Sequence, residues 1–438
     1  MSPLTDPRTG IVRALEPAVV PPHFPASFAL TTARLADTSR FGGWASDPAG
    51  AGYAFADPEA VRAAALGEAV ERYCGNLVPP GLVRASHDAL RAAGRPALDP
   101  AGFAFFSAEQ YARPGFPAVP MTADLVTEWA PGWDLADGDE VLVPAGPVWP
   151  SYHSPIGAPR GPLTNPVVQA GLAAGPNRAF AVDGALREVV ERDAMTLSWY
   201  GGLGVRAVEV PRWLAAFAIG PQALLTTRFL ALVSPFGMPV LGALVTDATT
   251  GLLSLGTGVH ADPVTAALKA FAEALQLQLV LADYDDPAGA FAAAAVRPGS
   301  PLKPWRADRA YRSAYRPDLA DAVDYACHLQ LHLDPTVRAD FEHELADRTI
   351  GRVALEELTG TGDLVAALTA AGHRAVAVDL TTADVGPLGY TVVRVLVPGL
   401  YSNAPIGLPF LGGERLGTAR RSSPSAAPFP VPRTPLPH

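Results

Sequence analysis

The sequence predicts an α/β chain of mixed α+β type, with helices carrying acidic residues packed on mixed sheets. Three observations point there. The phrase Leu-x-Glu-x-Val-Glu-Arg occurs twice on a helical background, as Leu66, Glu68, Val70, Glu71, Arg72 and as Leu186, Glu188, Val190, Glu191, Arg192. A third segment of helical period carries Lys269, Glu273 and Gln276. Short apolar runs bounded by glycine and proline lie between these segments, which is the pattern of buried strands.

Residues 1–27 form a Pro-rich segment expected to be irregular or draped over the body. A first helix is expected over 57–77, with Asp57 as N-cap and Pro58 at the first helical position. Residues 125–145 read as strand-rich, through Leu125, Val126, Trp129 and Val141–Val143. A loop rich in Gly and Pro, SPIGAPRGPLTNP, then leads to Gly171 and Gly175. The second helix is expected over 179–200, and strands over 228–247 and near 252–256. The third helix is expected over 263–282, opened by Asp262-Pro263. Residues 285–320, rich in Ala, Pro and Arg, read as an insert. A helix and strand follow over 362–380, and a buried strand over Tyr390 to Val397. The organisation expected is therefore an N-terminal segment 1–27, a main domain 28–416 and a Pro-rich tail 417–438.

Composition narrows the function classes. With 438 residues, 49% hydrophobic and 17% charged, the chain can bury a sizeable core. A net charge of −10 makes a poor electrostatic case for nucleic acid or an anionic membrane. Two cysteines, Cys74 and Cys327, make neither a disulfide framework nor a zinc site, and a reducing cytoplasm is expected. The longest apolar stretch, Phe229 to Val245, is broken by Pro235, Gly237 and Pro239 and reads as strand, turn, strand.

The acid-bearing helices admit two readings. Leu66, Val70, Tyr73 and Leu77 share one face of the first helix, with Glu68, Glu71 and Arg72 opposite. That is an ordinary solvated face with an i, i+4 ion pair, or a cation site whose approach is left open by Ala63–Ala65, Gly67 and Ala69. In the third helix, Leu268, Phe271, Leu275 and Leu279 are the apolar face. Lys269, Glu273 and Gln276 form a narrow polar stripe that needs partners if buried. Facing carboxylates repel, and magnesium, which favours oxygen ligands, relieves that repulsion. No Walker-type loop is present, so a P-loop is excluded. Gly50 and Gly52 read as a phosphate loop or a common turn. His153, His260, His328 and His332 have no metal-site spacing and read as surface or core histidines. Cys74 reads as a small buried residue.

ALGEAVERYC at 65–74, LREVVERDA at 186–194 and ALKAFAEALQ at 267–276 together resemble the three helical motifs of the YcaO family, in order. GLAAG at 171–175, VDLTTADVGPLG at 378–389, VRVLVPGL at 393–400 and LGGERL at 411–416 are similar as well. The resemblance implies an ATP-binding fold unlike kinases, in which helix carboxylates chelate magnesium and a peptide backbone amide is activated. Glu68, Glu71, Glu188, Glu191 and Glu273 would hold magnesium. Arg72, Lys269 and Gln276 would contact nucleotide or order the acids.

In the azoline-forming branch, a Cys, Ser or Thr side chain closes on the preceding carbonyl to give a thiazoline or oxazoline. That branch often ends in a Pro-x-Pro-x-Pro tail reaching the active site, and PFPVP at 428–432 resembles it, with RTPLPH following. The resemblance also implies a ThiF-like partner that binds the precursor's leader peptide, a ribosomal precursor peptide as substrate, and a homodimer. Departures stand at Ala64, where Ser is usual, at Ala51, where Lys is usual, at Gln169 and Ala170, and at Gln278, where Arg is usual. Each removes a polar group expected near nucleotide. Backbone thioamidation and a non-catalytic scaffold subunit are the alternative readings.

Overall fold

The structure, a computed structural model, describes residues 4–39, 48–55, 57–153, 160–360, 362–421 and 432–438. It is mixed α+β, with three sheets. Strands β1 (Val12–Pro17), β2 (Phe28–Leu35) and β3 (Ala49–Phe55) form an antiparallel sheet. A second sheet runs β11-β10-β9-β8-β12, made of β8 (Val205–Glu209), β9 (Leu225–Leu232), β10 (Val240–Asp247), β11 (Leu253–Val259) and β12 (Thr349–Ala354). All its pairs are antiparallel except β12 with β8. The third runs β4-β5-β13-β14-β7, with β6 on β5. Its members are Val83–Ala85, Thr127–Asp134, Val376–Asp379, Thr391–Leu396, Leu172–Gly175 and, for β6, Glu140–Pro144.

Three long helices carry the acids. Helix α1 (Pro58–Gly75) is capped by Asp57, whose side chain accepts from the amides of Glu59 and Ala60 at 3.0 and 3.1 Å. Helix α2 (Arg178–Trp199) is capped by Asn177, and α3 (Pro263–Tyr284) by Asp262. Each follows a strand and lies back on it: α1 on β3, α2 on β7 and β14, α3 on β11 and β10. The approach is close because the facing residues are small. A Cβ on Gly52 would stand 2.0 Å from the Val61 carbonyl oxygen and 2.3 Å from the Ala65 nitrogen. On Gly256 it would stand 2.2 Å from both the Ala270 oxygen and the Ala274 nitrogen. The Gly-Ala-Gly and Gly-Thr-Gly strands are therefore packing surfaces for alanine-rich helix faces. Gly50 and Gly52, expected to form a phosphate loop or turn, sit inside β3.

Helix α3 is long and apolar enough to cross a membrane by composition, but half of that stretch is buried against the second sheet. Phe229 to Val245 forms β9, a turn and β10, as the prolines indicate.

Several expectations need correction. The N-terminal segment is not irregular throughout, because β1 pairs along β2 from Val12↔Leu35 to Pro17↔Thr31. Leu125 and Val126 precede β5 rather than belonging to it. Within residues 285–320, expected as an insert, Tyr311, Tyr315 and Leu319 pack with Leu277, Leu281 and Tyr284 at the end of α3. Helices Tyr325–Leu331 and Pro335–Arg348 follow. Of PFPVP, only Pro432 lies among the described residues.

Candidate functional site

Each strand–helix unit makes the same contact. The Ala51 amide in β3 donates to Glu68 Oε2 at 2.9 Å, and the Gly171 amide beside β7 donates to Glu188 Oε2 at 3.0 Å. The Thr257 amide in β11 donates to Glu273 Oε2. In sequence the donor precedes the acid by 17, 17 and 16 residues. A backbone amide thus fixes one oxygen of each carboxylate, and the second oxygen of Glu68 is taken by Arg72.

Glu191 is tied to the third unit. Its Oε1 accepts from Thr257 Oγ1 at 2.7 Å and lies 3.2 Å from Arg192 Nη1. Arg192 Nη1 also donates to Thr257 Oγ1 at 3.1 Å, and its Nε lies 3.9 Å from Glu188. Burial opposes the Arg192 charge, but Glu191, Glu273 and Glu188 outweigh it and hold the guanidinium protonated. On the other side, Arg72 bonds Glu68 at 3.1 Å and Gln169 Oε1 at 2.5 Å. Arg394, fully buried, donates to the carbonyls of Val148 (3.0 Å), Gln169 (2.7 Å) and Ala170 (2.8 Å). It fixes the loop that presents the Gly171 amide. Burial lowers its pKa to about 10, against the pull of Glu188 and Glu71.

The carboxylates are held at an electrostatic cost. Burial pushes Glu71 well up, with Glu188 and Glu68 adding to the rise and Arg72 and Arg394 opposing it. Burial raises Glu188 too. It raises Glu273 to about 7, against Arg192 and with Glu191. Glu71 accepts no hydrogen bond from any described residue. Among the described residues no three acidic, His or Cys groups by themselves form a metal site. The five expected acids therefore do not form one ready-made ligand set among the described residues; magnesium usually takes one or two carboxylates, with water and phosphate oxygens for the rest. The all-oxygen donor set and the unpartnered Glu71 carboxylate suit a hard cation.

Two cavities flank this centre. One, about 800 Å³, is lined by Glu68, Arg72, Asn165, Gln169 and Tyr325 among others. The second, about 460 Å³, has Glu188, Glu191, Glu273, Arg192 and Lys269 in its wall, together with Tyr53, Phe55 and Leu268. The expected site residues are divided between these cavities: Glu68 and Arg72 line the first, Glu188, Glu191, Glu273 and Lys269 the second, and Glu71 lines neither. Lys269 is exposed and lines the second cavity, with no ion-pair partner among the described residues. Gln276 is half-buried about one turn beyond Glu273 and is not in the wall of either cavity.

Gln278, expected near nucleotide, is buried elsewhere: its amide nitrogen bonds the carbonyls of Val245 (3.0 Å) and Leu252 (3.2 Å) and Ser254 Oγ (3.0 Å). His328 and His332 are core residues, lowered by burial to about 3 and about 4. Burial pushes the Cys74 thiol up to about 11, which keeps it unreactive.

Sequence reasoning missed Thr257, Arg394 and Tyr53. The resemblance implied a tail reaching the active site through PFPVP, most of which lies outside the described residues, and the residues after it are placed as follows. Glu344 accepts from the Arg433 amide at 2.8 Å and from Thr434 Oγ1 at 2.7 Å. Trp199 Nε1 donates to the Thr434 carbonyl at 3.1 Å, and the Leu255 amide to the Pro437 carbonyl at 2.7 Å. His438 is buried against Arg192.

Three strand–helix units thus place buried acids and guanidinium groups side by side in an α+β protein. The profile of the YcaO cyclodehydratase family, described as ATP- and Mg2+-binding, matches residues 52–401, and the chain belongs to this family. An uncharacterized protein in the tfuA 3' region of Rhizobium leguminosarum bv. trifolii is 26% identical over 372 residues, 78% of this chain and 75% of that one. The fold superposes on a heterocyclase in complex with substrate and cofactor, with a TM-score of 0.63 and 23% identity. It covers 91% of this chain and 51% of that one, so this chain spans about half the length of that heterocyclase. A YcaO from Methanopyrus kandleri bound with AMPPCP and Mg2+ matches with a TM-score of 0.57 and 21% identity, over 89% of this chain and 86% of that one.

Proposed function

We propose that the chain is an ATP- and magnesium-dependent cyclodehydratase that forms thiazoline or oxazoline rings from Cys, Ser or Thr of a ribosomal precursor peptide. The observation that carries this reading is the convergence of Glu68, Glu71, Glu188, Glu191 and Glu273, from three helices, beside a buried C-terminal segment. In this reading those acids hold magnesium, and Arg72 and Lys269 meet the phosphates. ATP, when bound, supplies the phosphoryl group that makes an amide oxygen a leaving group.

The chain's own residues do the positioning. The amides of Ala51, Gly171 and Thr257 hold one oxygen each of Glu68, Glu188 and Glu273. Arg192 and the Thr257 hydroxyl hold Glu191. Such preorganised dipoles and charges are what phosphoryl transfer asks of a protein. His438 packs against Arg192, while the azoline branch rests on the resemblance of PFPVP at 428–432, of which only Pro432 lies among the described residues. The larger cavity, reached past Glu68 and Arg72, would admit the peptide, presented by a separate ThiF-like leader-binding partner. The buried place of Gln278 removes one argument for a scaffold subunit.

The test is incubation of the protein with its partner, precursor peptide, ATP and magnesium. ADP release with loss of one water per ring supports the reading. Unchanged peptide mass without ADP sinks it, and replacement of oxygen by sulfur would indicate thioamidation.

A further inference from the structure

Residues alternate along a strand, so Gly50 and Gly52 face α1 while Ala51 and Tyr53 share the opposite face of β3. Tyr53 is half-buried in the wall of the 460 Å³ cavity, alongside Arg192, Lys269 and Glu273. Each acid beside it already holds one donor. Glu273 takes the Thr257 amide, Glu191 takes the Thr257 hydroxyl, and Glu188 takes the Gly171 amide. The Tyr53 phenol makes no hydrogen bond to any described residue, and its oxygen is not among the buried atoms cut off from solvent. A phenol at neutral pH is a donor. On this wall it is a neutral donor set between the cations Arg192 and Lys269 and three acids that each already hold one donor.

We infer that Tyr53 donates its phenolic hydrogen to a phosphate oxygen of the bound nucleotide, as a binding residue for the phosphate chain. A neutral donor suits this place. Another cation would compete with magnesium for the carboxylates, and another acid would repel phosphate. The ring itself packs toward Phe55 and the second-sheet core, which holds the hydroxyl in place. The inference rests on nucleotide binding at this cavity, as the function above requires, but not on the reaction with peptide.

The experiment compares Tyr53→Phe with the wild type in equilibrium binding of Mg-AMPPCP and in melting temperature without ligand. The phenylalanine keeps the ring and removes only the O–H. The expected result is an affinity for Mg-AMPPCP weakened by about tenfold, the range for a hydrogen bond to a charged group, with the ligand-free melting temperature unchanged. Unchanged affinity overturns the inference. So does a loss of affinity accompanied by a lower melting temperature, which is a packing role, and so does a wild type that does not bind Mg-AMPPCP. Ring formation is read separately. If the binding difference is found and no ring forms on any peptide, Tyr53 keeps its assignment and the cyclodehydratase reading falls.

Discussion

The Gly171 amide donates to Glu188 Oε2 at 3.0 Å, which anchors the acid shared by both halves of the centre. Glu188 raises the pKa of Glu71 on one side and lies 3.9 Å from Arg192 on the other. Gln at this position can still accept from Gly171 but carries no charge. Glu188→Gln should therefore keep the fold and lose ADP production by about a hundredfold or more. Glu188→Ala also leaves the Gly171 amide without its acceptor and should cost a further ~1–3 kcal/mol of stability. Denaturant unfolding and ADP release on the two variants separate the charge from the hydrogen bond. Equal stability of both would contradict the anchoring role.

Thr257 serves three groups through one hydroxyl, Glu191, Glu273 and Arg192. Thr257→Val keeps the shape and removes that hydroxyl from a buried carboxylate. A loss of ~1–3 kcal/mol in unfolding free energy is expected, with Thr257→Ser close to wild type. A valine variant as stable as the serine variant would show that the hydroxyl network is dispensable.

The long helices and their acids were legible because their signals are local. Asp57-Pro58 and Asp262-Pro263 announce their own helices, and Glu68, Glu71, Glu188 and Glu191 face inward at the spacing that periodicity allows. What local pattern could not show was the partner across the fold. Thr257 looks like any strand threonine until the 17-, 17- and 16-residue offsets of the three amide–acid pairs are compared. Arg394 sits in an apolar strand, and its role depends on carbonyls some 225 residues earlier in the chain. Gln278 lies five residues past Glu273, yet it points into the β10–β11 core. Strand β1 escaped because proline-rich composition outweighed the pairing that β2 offers.

Gly52 and Gly67 make opposite predictions from the same helix. A Cβ at Gly52 meets backbone atoms of α1 at 2.0 and 2.3 Å, so Gly52→Ala must push the helix off its strand. A destabilisation of ~1–3 kcal/mol or more follows, with loss of nucleotide binding as Glu68 moves from Ala51. Gly67 lies within α1 and has nothing within 4 Å of the added methyl. Gly67→Ala should stabilise by ~0.5–1 kcal/mol. Thermal melts of the pair suffice, and a destabilised Gly67→Ala would contradict the open space beside it.

Glu344 latches the C-terminal segment through the amides of Arg433 and Thr434 and the Thr434 hydroxyl. Glu344→Ala removes these three bonds without touching the acids. The segment should become accessible to protease while the global unfolding midpoint moves little. Activity should fall by about tenfold to a hundredfold through misplacement of His438 beside Arg192. A protected segment with full activity would count against the latch.

The acidic centre sets a pH dependence whose sign follows from Glu273. Its folded pKa of about 7 lies above the ordinary 4.5, so the folded protein binds that proton more tightly than the unfolded chain. The resulting stability is complete below about 4.5 and is lost as pH rises through about 7. The stability difference between the ligand-free wild type and Glu273→Gln should therefore fall from about pH 5 to about pH 8, the buried neutral histidines being common to both. Magnesium needs the deprotonated carboxylate, so the stabilisation by Mg-AMPPCP should grow over the same interval. In the Glu273→Gln variant both trends should weaken together, because the Glu273 proton contributes to both. If the ligand-free slope disappears in the variant while the pH dependence of Mg-AMPPCP binding is unchanged, Glu273 is a buried acid that does not face the metal. The magnesium role would then pass to Glu71 and Glu188, whose protons burial also holds.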